Sequence, residues 1–375
     1  WSFFGQLVIL ILIQIGGLGV VTVTVSITLL SGKKISLMQR TTMQDAIAAP
    51  RIGGIVRLTK FILKGTFLVE LIGAVLLLPV FGKDFGVKGI WMSIFHSISA
   101  FCNAGFDILG TTKNTFPSLL QYAGNALVNV VIMLLIIIGG IGFLTWEDVC
   151  TNTYHFRRYR LQSKIVLVTT AVLILLPSLF FFFWNFKNLA MEERLLASFF
   201  QAVTPRTAGF NTVDIGKMAE PAQTLIIILM LIGGSPSSTA GGMKTTTIAV
   251  LLLNAFATFR SKDTVSAFHR RIDNHVIRDA ATLLMLYVML FFGCGIAISM
   301  YEGLPLAECL YETASAVGTV GLTLGITPHL HMASQLILIV LMYLGRVGGL
   351  TLIYAVFSSR NKSKAKFPVE QITVG

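Results

Sequence analysis

Three short segments place a glycine at nearly equal intervals along the chain: Asn103-Ala104-Gly105-Phe106, Thr207-Ala208-Gly209-Phe210 and Thr319-Val320-Gly321-Leu322, the glycines lying 104 and then 112 residues apart. The chemistry open to such segments is coordination. A cation stripped of water needs oxygens at close range, and a run of main-chain carbonyls is the cheapest rigid source of them. Carbonyls that point the same way push some residues toward positive φ, where a Cβ would clash and glycine does not. Each segment follows an apolar stretch too short to cross a bilayer (91–101, 194–204 and 307–316) and precedes one long enough to do so. Short helices ending there would aim their partial negative charge at the ion. Gly105, Gly209 and Gly321 are therefore the main candidates for an ion filter, with Asn103, Ala104, Thr207, Ala208, Gly318, Thr319 and Val320 supplying neighbouring carbonyls. The alternative is that the glycines only cap helices in a transporter.

Other chemistry finds little support. Glu308 and Glu312 stand one helical turn apart, a spacing that serves acid–base catalysis, but nothing nearby offers a nucleophile or a substrate pocket, so no enzyme is expected. Their other uses are to attract cations or to anchor the filter by accepting hydrogen bonds from main-chain donors. Asp107 and Asp214 follow their filter segments closely and would add to an acidic mouth, unless they are simply solvated loop acids. The six histidines have no ligand-like spacing, and Cys102, Cys150, Cys294 and Cys309 lie near or within apolar segments, where they read as small buried hydrophobes.

One apolar stretch, 222–258, is too long for a simple crossing and is broken by Gly233-Gly234-Ser235-Pro236-Ser237-Ser238-Thr239-Ala240-Gly241-Gly242-Met243-Lys244. Four glycines and a proline within ten residues do not stay helical, since each glycine costs about 1 kcal/mol relative to Ala and proline about 3. Irregular backbone at membrane depth is tolerated only where it lines a protein-enclosed cavity, so this loop should sit beneath the filter and obstruct the pathway. The alternative is a cytoplasmic linker between two short helices. Arg346 lies in an otherwise apolar stretch, where an unpaired charge costs about 2.5–3.5 kcal/mol, so it must face a pore or a partner. Glu70 is the one acid in a spanning stretch. Lys244 closes the gate segment and either holds the loop through carbonyl contacts or is a solvated helix-end lysine.

These segments need a scaffold, and composition says which. With 54% hydrophobic and 12% charged residues and a mean hydropathy of +0.79, the chain reads as an integral membrane protein. Candidate spans are 2–30, 61–81, 123–146, 164–186, the interrupted 222–258, 280–301 and 335–357. Of the 29 Lys and Arg residues, 20 fall in 31–65, 146–164, 259–279 and 358–375, which makes that side cytoplasmic and the net charge of +12 a topology signal rather than a nucleic-acid one. The opposite loops hold seven basic and nine acidic residues, a mildly acidic mouth that concentrates cations locally. From residue 61 the order span, half-span, span occurs three times.

The expected architecture is an all-α integral membrane protein of pseudo-fourfold repeats around one central pore. Its parts are 1–60 (second helix of an incomplete first repeat and a loop), 61–163, 164–279 (interrupted helix and gate loop) and 280–375 (last repeat and basic tail). Gly16-Gly17-Leu18-Gly19 is similar to Gly139-Gly140-Ile141-Gly142, and Gly233-Gly234 and Gly345 hold related places. That register puts a fourth filter roughly 10–20 residues before Trp1, so the native chain is expected to begin earlier. A channel-like translocator fits the parallel repeat order. A secondary transporter coupling cation to solute would show inverted repeats and a central side-chain pocket.

The segments 97–106, 206–212 and 315–322 resemble the second, third and fourth pore loops of the TrkH/KtrB/HKT superfamily of potassium transporters, and most closely its KtrB branch, over essentially the whole chain. The resemblance implies four M1–pore–M2 repeats, one glycine per filter strand, potassium held at filter carbonyls, a homodimer, and plasma-membrane potassium uptake. It also implies an intramembrane gate loop, with Arg346 as a pore-facing arginine beside it. Cytoplasmic loops would dock a KtrA-like ring of nucleotide-binding regulatory subunits, and sodium is an activator by the same analogy. The tail Lys362–Glu370 would contribute to the dimer, where its composition alone suggests binding to anionic lipid headgroups. Two departures stand out, Cys102 in place of an expected polar residue such as Asn and the absence of the first repeat's filter, and in the gate loop Ser237 replaces an expected glycine.

Overall fold

The structure, a computed structural model, describes residues 1–19, 22–23, 44, 54–111, 117–153 and 155–348. Within them the chain forms helices α1 (Phe3–Leu18), α2 (Ile55–Phe85), α3 (Lys88–Phe101), α4 (Ala126–Gly140), α5 (Phe143–Asn152), α6 (Leu161–Phe180), α7 (Met191–Val203), α8 (Glu220–Leu231), α9 (Thr245–Phe259), α10 (Asn274–Glu302), α11 (Leu306–Gly318) and α12 (Met332–Val347). A two-residue antiparallel ladder, Ser266–Ala267 with Arg270–Arg271, is a small departure from the expected all-α chain. The basic tail 358–375 and much of the loop 31–53 lie outside the described residues.

Burial on α2 shows why these sequences fold as they do. Ile62, Thr66, Glu70, Gly73, Leu77 and Phe81 recur at helical spacing and are buried, whereas Leu68, Leu71, Ile72 and Val75 on the other faces are exposed. An apolar outer surface of this kind would be unstable in water and is stable against lipid. The same holds for α6 and α10: only 33% of the most apolar stretch of α6 and 22% of that of α10 is buried. The chain is a helical membrane protein.

The short helices pack inside this shell. α3 folds back on α2 so closely that a Cβ at Gly73 would meet the Ser97 Oγ at 2.4 Å, and that hydroxyl donates to the Glu70 carbonyl at 2.6 Å. Phe81, Phe95 and Phe101 are fully buried there. Asn125 caps α4 by accepting from the Val128 amide at 3.1 Å.

Among the described residues, three helices, α2, α6 with the π-turn that extends it, and α10, are long and apolar enough to cross a membrane singly. The expected single span 123–146 is instead two helices, α4 and α5, bent by 96°. Hydropathy is blind to this bend, which Gly142 permits: it has φ 93°, and a Cβ there would clash with the Pro236 carbonyl oxygen. The described parts of α1 and α12 run to Leu18 and Val347; the remainder of the expected spans 2–30 and 335–357 falls mostly outside the described residues. Among the cysteines, Cys102 and Cys309 are buried and Cys294 partly so, but Cys150 is exposed, against expectation, because it lies on α5 beyond the bend.

Candidate ion pathway

Helices α3, α7 and α11 each run into a segment with the same alternation of backbone sign. Asn103, Thr207 and Thr319 have φ of 52°, 64° and 55°, and the glycines two residues on, Gly105, Gly209 and Gly321, have φ of 70°, 82° and 92°. In an ordinary strand successive peptide units face opposite sides; alternating the sign of φ brings their carbonyl oxygens to one side. The strands lie edge to edge. A Cβ on Gly105 would sit 2.2 Å from the Ala208 carbonyl oxygen, and one on Gly209 would sit 2.2 Å from that of Val320. The nearest atom to the equivalent position on Gly321 is the Gly209 Cα, at 3.9 Å.

Holding Asn or Thr at positive φ costs on the order of 1–3 kcal/mol per residue, which surrounding contacts must offset. Hydroxyls from the end of each short helix do so. Ser99 Oγ donates to the Phe106 carbonyl at 2.7 Å, Thr204 Oγ1 donates to that of Phe210 at 2.6 Å, and Ser315 Oγ accepts from the Gly321 amide at 3.1 Å. Sequence reasoning passed over these three residues, although a hydroxyl five or six positions before each filter glycine is a readable signal. Between strands, Asn103 Nδ2 donates to the Arg206 carbonyl at 3.0 Å.

The acids near the strands close turns. Buried Glu312 accepts from Thr323 Oγ1 at 2.6 Å, Leu324 N at 3.1 Å and Thr327 Oγ1 at 2.6 Å, fixing the chain just after the strand that holds Thr319 and Gly321; Glu308 is half-buried and takes no part in these bonds. Asp107 accepts from Leu109 N at 3.0 Å. Asp214 accepts from Gly216 N and pairs with Lys217 at 2.9 Å, a hydrogen bond that raises the Lys217 ammonium above its ordinary range.

Residues 232–244 form an irregular loop between α8 and α9, packed against the undersides of two strands. Thr239 Oγ1 donates to the Phe101 carbonyl at 3.0 Å and to Asn103 Oδ1 at 3.3 Å, while a Cβ at Gly241 would strike Thr319 Oγ1 at 2.1 Å and one at Gly242 would lie 3.0 Å from the Gly318 carbonyl oxygen. The loop's polar backbone is satisfied from its neighbours. Gly233 N donates to Met243 O at 2.8 Å, Thr245 N to Gly234 O at 3.0 Å, Ser235 N to Gly140 O at 3.0 Å and Thr239 N to Gly139 O at 3.3 Å, and Ser237 O accepts from Phe143 N at 2.7 Å. The last three reach the bend between α4 and α5, whose broken helix leaves these groups without intrahelical partners. Inside the loop, Ser238 Oγ donates to Ser235 O at 2.6 Å and accepts from Ala240 N at 3.2 Å; Pro236 lies at its outer turn.

Two cations grip this loop. Lys244 Nζ donates to the Ala240 carbonyl at 2.8 Å and toward that of Gly241 at 3.4 Å. Arg346 Nη1 donates to Thr239 O at 2.5 Å and Nη2 to Gly16 O. No carboxylate pairs with Arg346 among the described residues; Glu70 instead accepts from Gln14 Nε2 at 3.0 Å, with Cys102 Sγ at 3.9 Å.

Comparison with known proteins agrees with this arrangement. The family described as TrkH, cation transport protein, matches residues 2–364. A potassium/sodium uptake protein, NtpJ, of Enterococcus hirae is 38% identical over all of this chain and 84% of its own length. The Ktr system potassium uptake protein B of Bacillus subtilis is 38% identical with the same coverage. The crystal structure of the potassium transporter TrkH from Vibrio parahaemolyticus superposes with a TM-score of 0.66 at 18% identity, covering 84% of this chain and 68% of that one, a likeness of fold. A helical membrane scaffold that brings three carbonyl strands together over a polar loop is the product of a transport function rather than an enzymatic one, and the chain belongs to the TrkH cation transport protein family.

Proposed function

We propose that this chain is the pore-forming subunit of a potassium uptake system, in which K+ passes a ring of main-chain carbonyls in channel-like fashion. The observation that carries the reading is the threefold recurrence of positive φ at positions i and i+2, with neighbouring strands close enough to exclude a Cβ. Oxygens gathered in this way replace hydration water without a charged side chain at the ion. The names of the two 38% identical relatives support potassium, with sodium as a second cation, as the cargo.

The rest of the reading follows the same logic. The recurring order of long helix, short helix and broken helix supports pseudo-fourfold M1–pore–M2 repeats with the boundaries set out above. Residues Gly233 to Lys244 act as an intramembrane gate, and Arg346 lends it a positive charge that raises the barrier to a cation. The basic loops face the cytoplasm at the plasma membrane. The chain works as a homodimer with a nucleotide-binding regulatory ring, a partnership suggested by the Ktr-system relative, and Na+ serves as an activator.

The test is growth of a potassium-uptake-deficient strain on limiting K+, carrying the full-length gene or its Gly321→Ser variant. Rescue by the former and its loss with the latter are expected. Rescue by both would overturn the carbonyl filter, and rescue by neither would overturn potassium uptake.

A further inference from the structure

Arg206 immediately precedes Thr207 of the third filter strand and is 3% exposed. Its Nη2 donates to Thr170 Oγ1 on α6 at 3.2 Å, and that is its side chain's one hydrogen bond: Nε and Nη1 are buried without a partner. None of the ion pairs among the described residues involves it. A guanidinium keeps its proton in proteins, so this is a full positive charge sealed in the interior with one neutral acceptor. Its place contrasts with those of the two cations below. Lys244 and Arg346 spend their donors on carbonyls of the gate loop, whereas Arg206 spends almost none, and so holds little in place by hydrogen bonding.

An uncompensated charge in a low-dielectric interior acts on whatever other charge is near. On the filter reading, the permeating cation is a charge that the third strand meets in function. The guanidinium cannot be farther from its own backbone than one arginine side chain, and that backbone is contiguous with the strand. Its side chain is anchored on α6, one of the long helices with an apolar outer face, and its burial shields it from water.

We propose that Arg206 is an affinity-setting residue, a fixed positive charge beside the third strand that weakens cation binding in the filter and so speeds release. The inference rests on the filter reading given above. Weak binding matters to conduction, because an ion held too tightly by carbonyls does not leave. Two unit charges about 10 Å apart at an effective dielectric near 20 interact strongly enough to change affinity by roughly tenfold.

The experiment measures K+ uptake against K+ concentration for the full-length protein in lipid vesicles, with the wild type, Arg206→Gln, Arg206→Lys and Gly209→Ser. Arg206→Gln is expected to lower the half-saturating K+ concentration about tenfold and to reduce maximal flux, while Arg206→Lys, which keeps the charge but loses the planar fork, stays within about twofold of wild type. A purely structural role would lower maximal flux in both variants with half-saturation unmoved, and would overturn the proposal. If Arg206→Gln does not reach the membrane, Arg206→Met, an uncharged side chain of similar length, takes its place: a half-saturating concentration lowered about tenfold upholds the proposal, and an unmoved one overturns it. Gly209→Ser separates the two readings. Flux untouched by it would sink the filter and this inference together; flux abolished by it, beside an Arg206→Gln curve with unchanged half-saturation, would sink this inference alone.

Discussion

The filter strands and the helix breaks beneath them repeat in different ways. Above, three strands share one backbone pattern while their side chains differ, with Asn103, Thr207 and Thr319 at one left-handed position and glycine at the next. Below, Gly19 caps the end of α1, Gly142 the start of α5 after the bend from α4, and Gly348 the end of α12, with nearly identical φ and ψ of 83° and 136°, 93° and 140°, and 91° and 132°. The break between α8 and α9 departs from this rule and widens into the loop 232–244. On the proposed filter reading, coordination of an ion requires every wall to present oxygens alike, which accounts for the one geometry of the strands. On the proposed gate reading, obstruction needs only one wall, which accounts for a loop at this one break.

Adding one carbon to the uniform level should have the largest effect. Gly105→Ala places a Cβ on the Ala208 carbonyl oxygen and strains φ of 70°, so K+ uptake in vesicles should fall by about a hundredfold or more, equivalent to a barrier increase of roughly 2.7 kcal/mol. Wild-type flux from this variant would break the claim that close-set glycines define the filter. Shortening the exceptional level is expected to act in the opposite direction. Removal of Ser235 to Ala240 should raise flux about tenfold, or roughly 1.4 kcal/mol; unchanged flux would show that the loop does not obstruct. A smaller change comes from releasing the loop at one point. Arg346→Gln deletes the charge and its bond to the Thr239 carbonyl, and uptake should rise by about threefold, close to 0.7 kcal/mol, with protein abundance in the membrane unaltered. Reduced abundance at constant flux per molecule would assign Arg346 to folding instead.

Much of this was legible in the chain itself. The positive φ of Gly105, Gly209 and Gly321 was readable because such a position with close neighbours favours one residue type, and the irregular loop because four glycines and a proline cannot be helical. The bend at Gly142 was hidden, since 123–146 is apolar on both sides of it and hydropathy carries no angle. Ser99, Thr204 and Ser315 were hidden for another reason: serine and threonine are common in helices, and their bonds to the strand appear only when the chain turns back. The two readings of Lys244 were separable only by the carbonyl oxygens of Ala240 and Gly241, which no spacing rule locates.

Strands that coordinate through their main chain have no ligand side chain for a mutation to delete. At Ala104, Ala208 and Val320 the protein should accept replacements by size alone, because their contribution at the ion is a peptide oxygen that every residue carries; Ala208 and Val320 are constrained by being fully packed, at 0% and 2% exposure. Selection then acts on this site through volume and backbone conformation, so drift in the letters around each glycine is compatible with unchanged cargo.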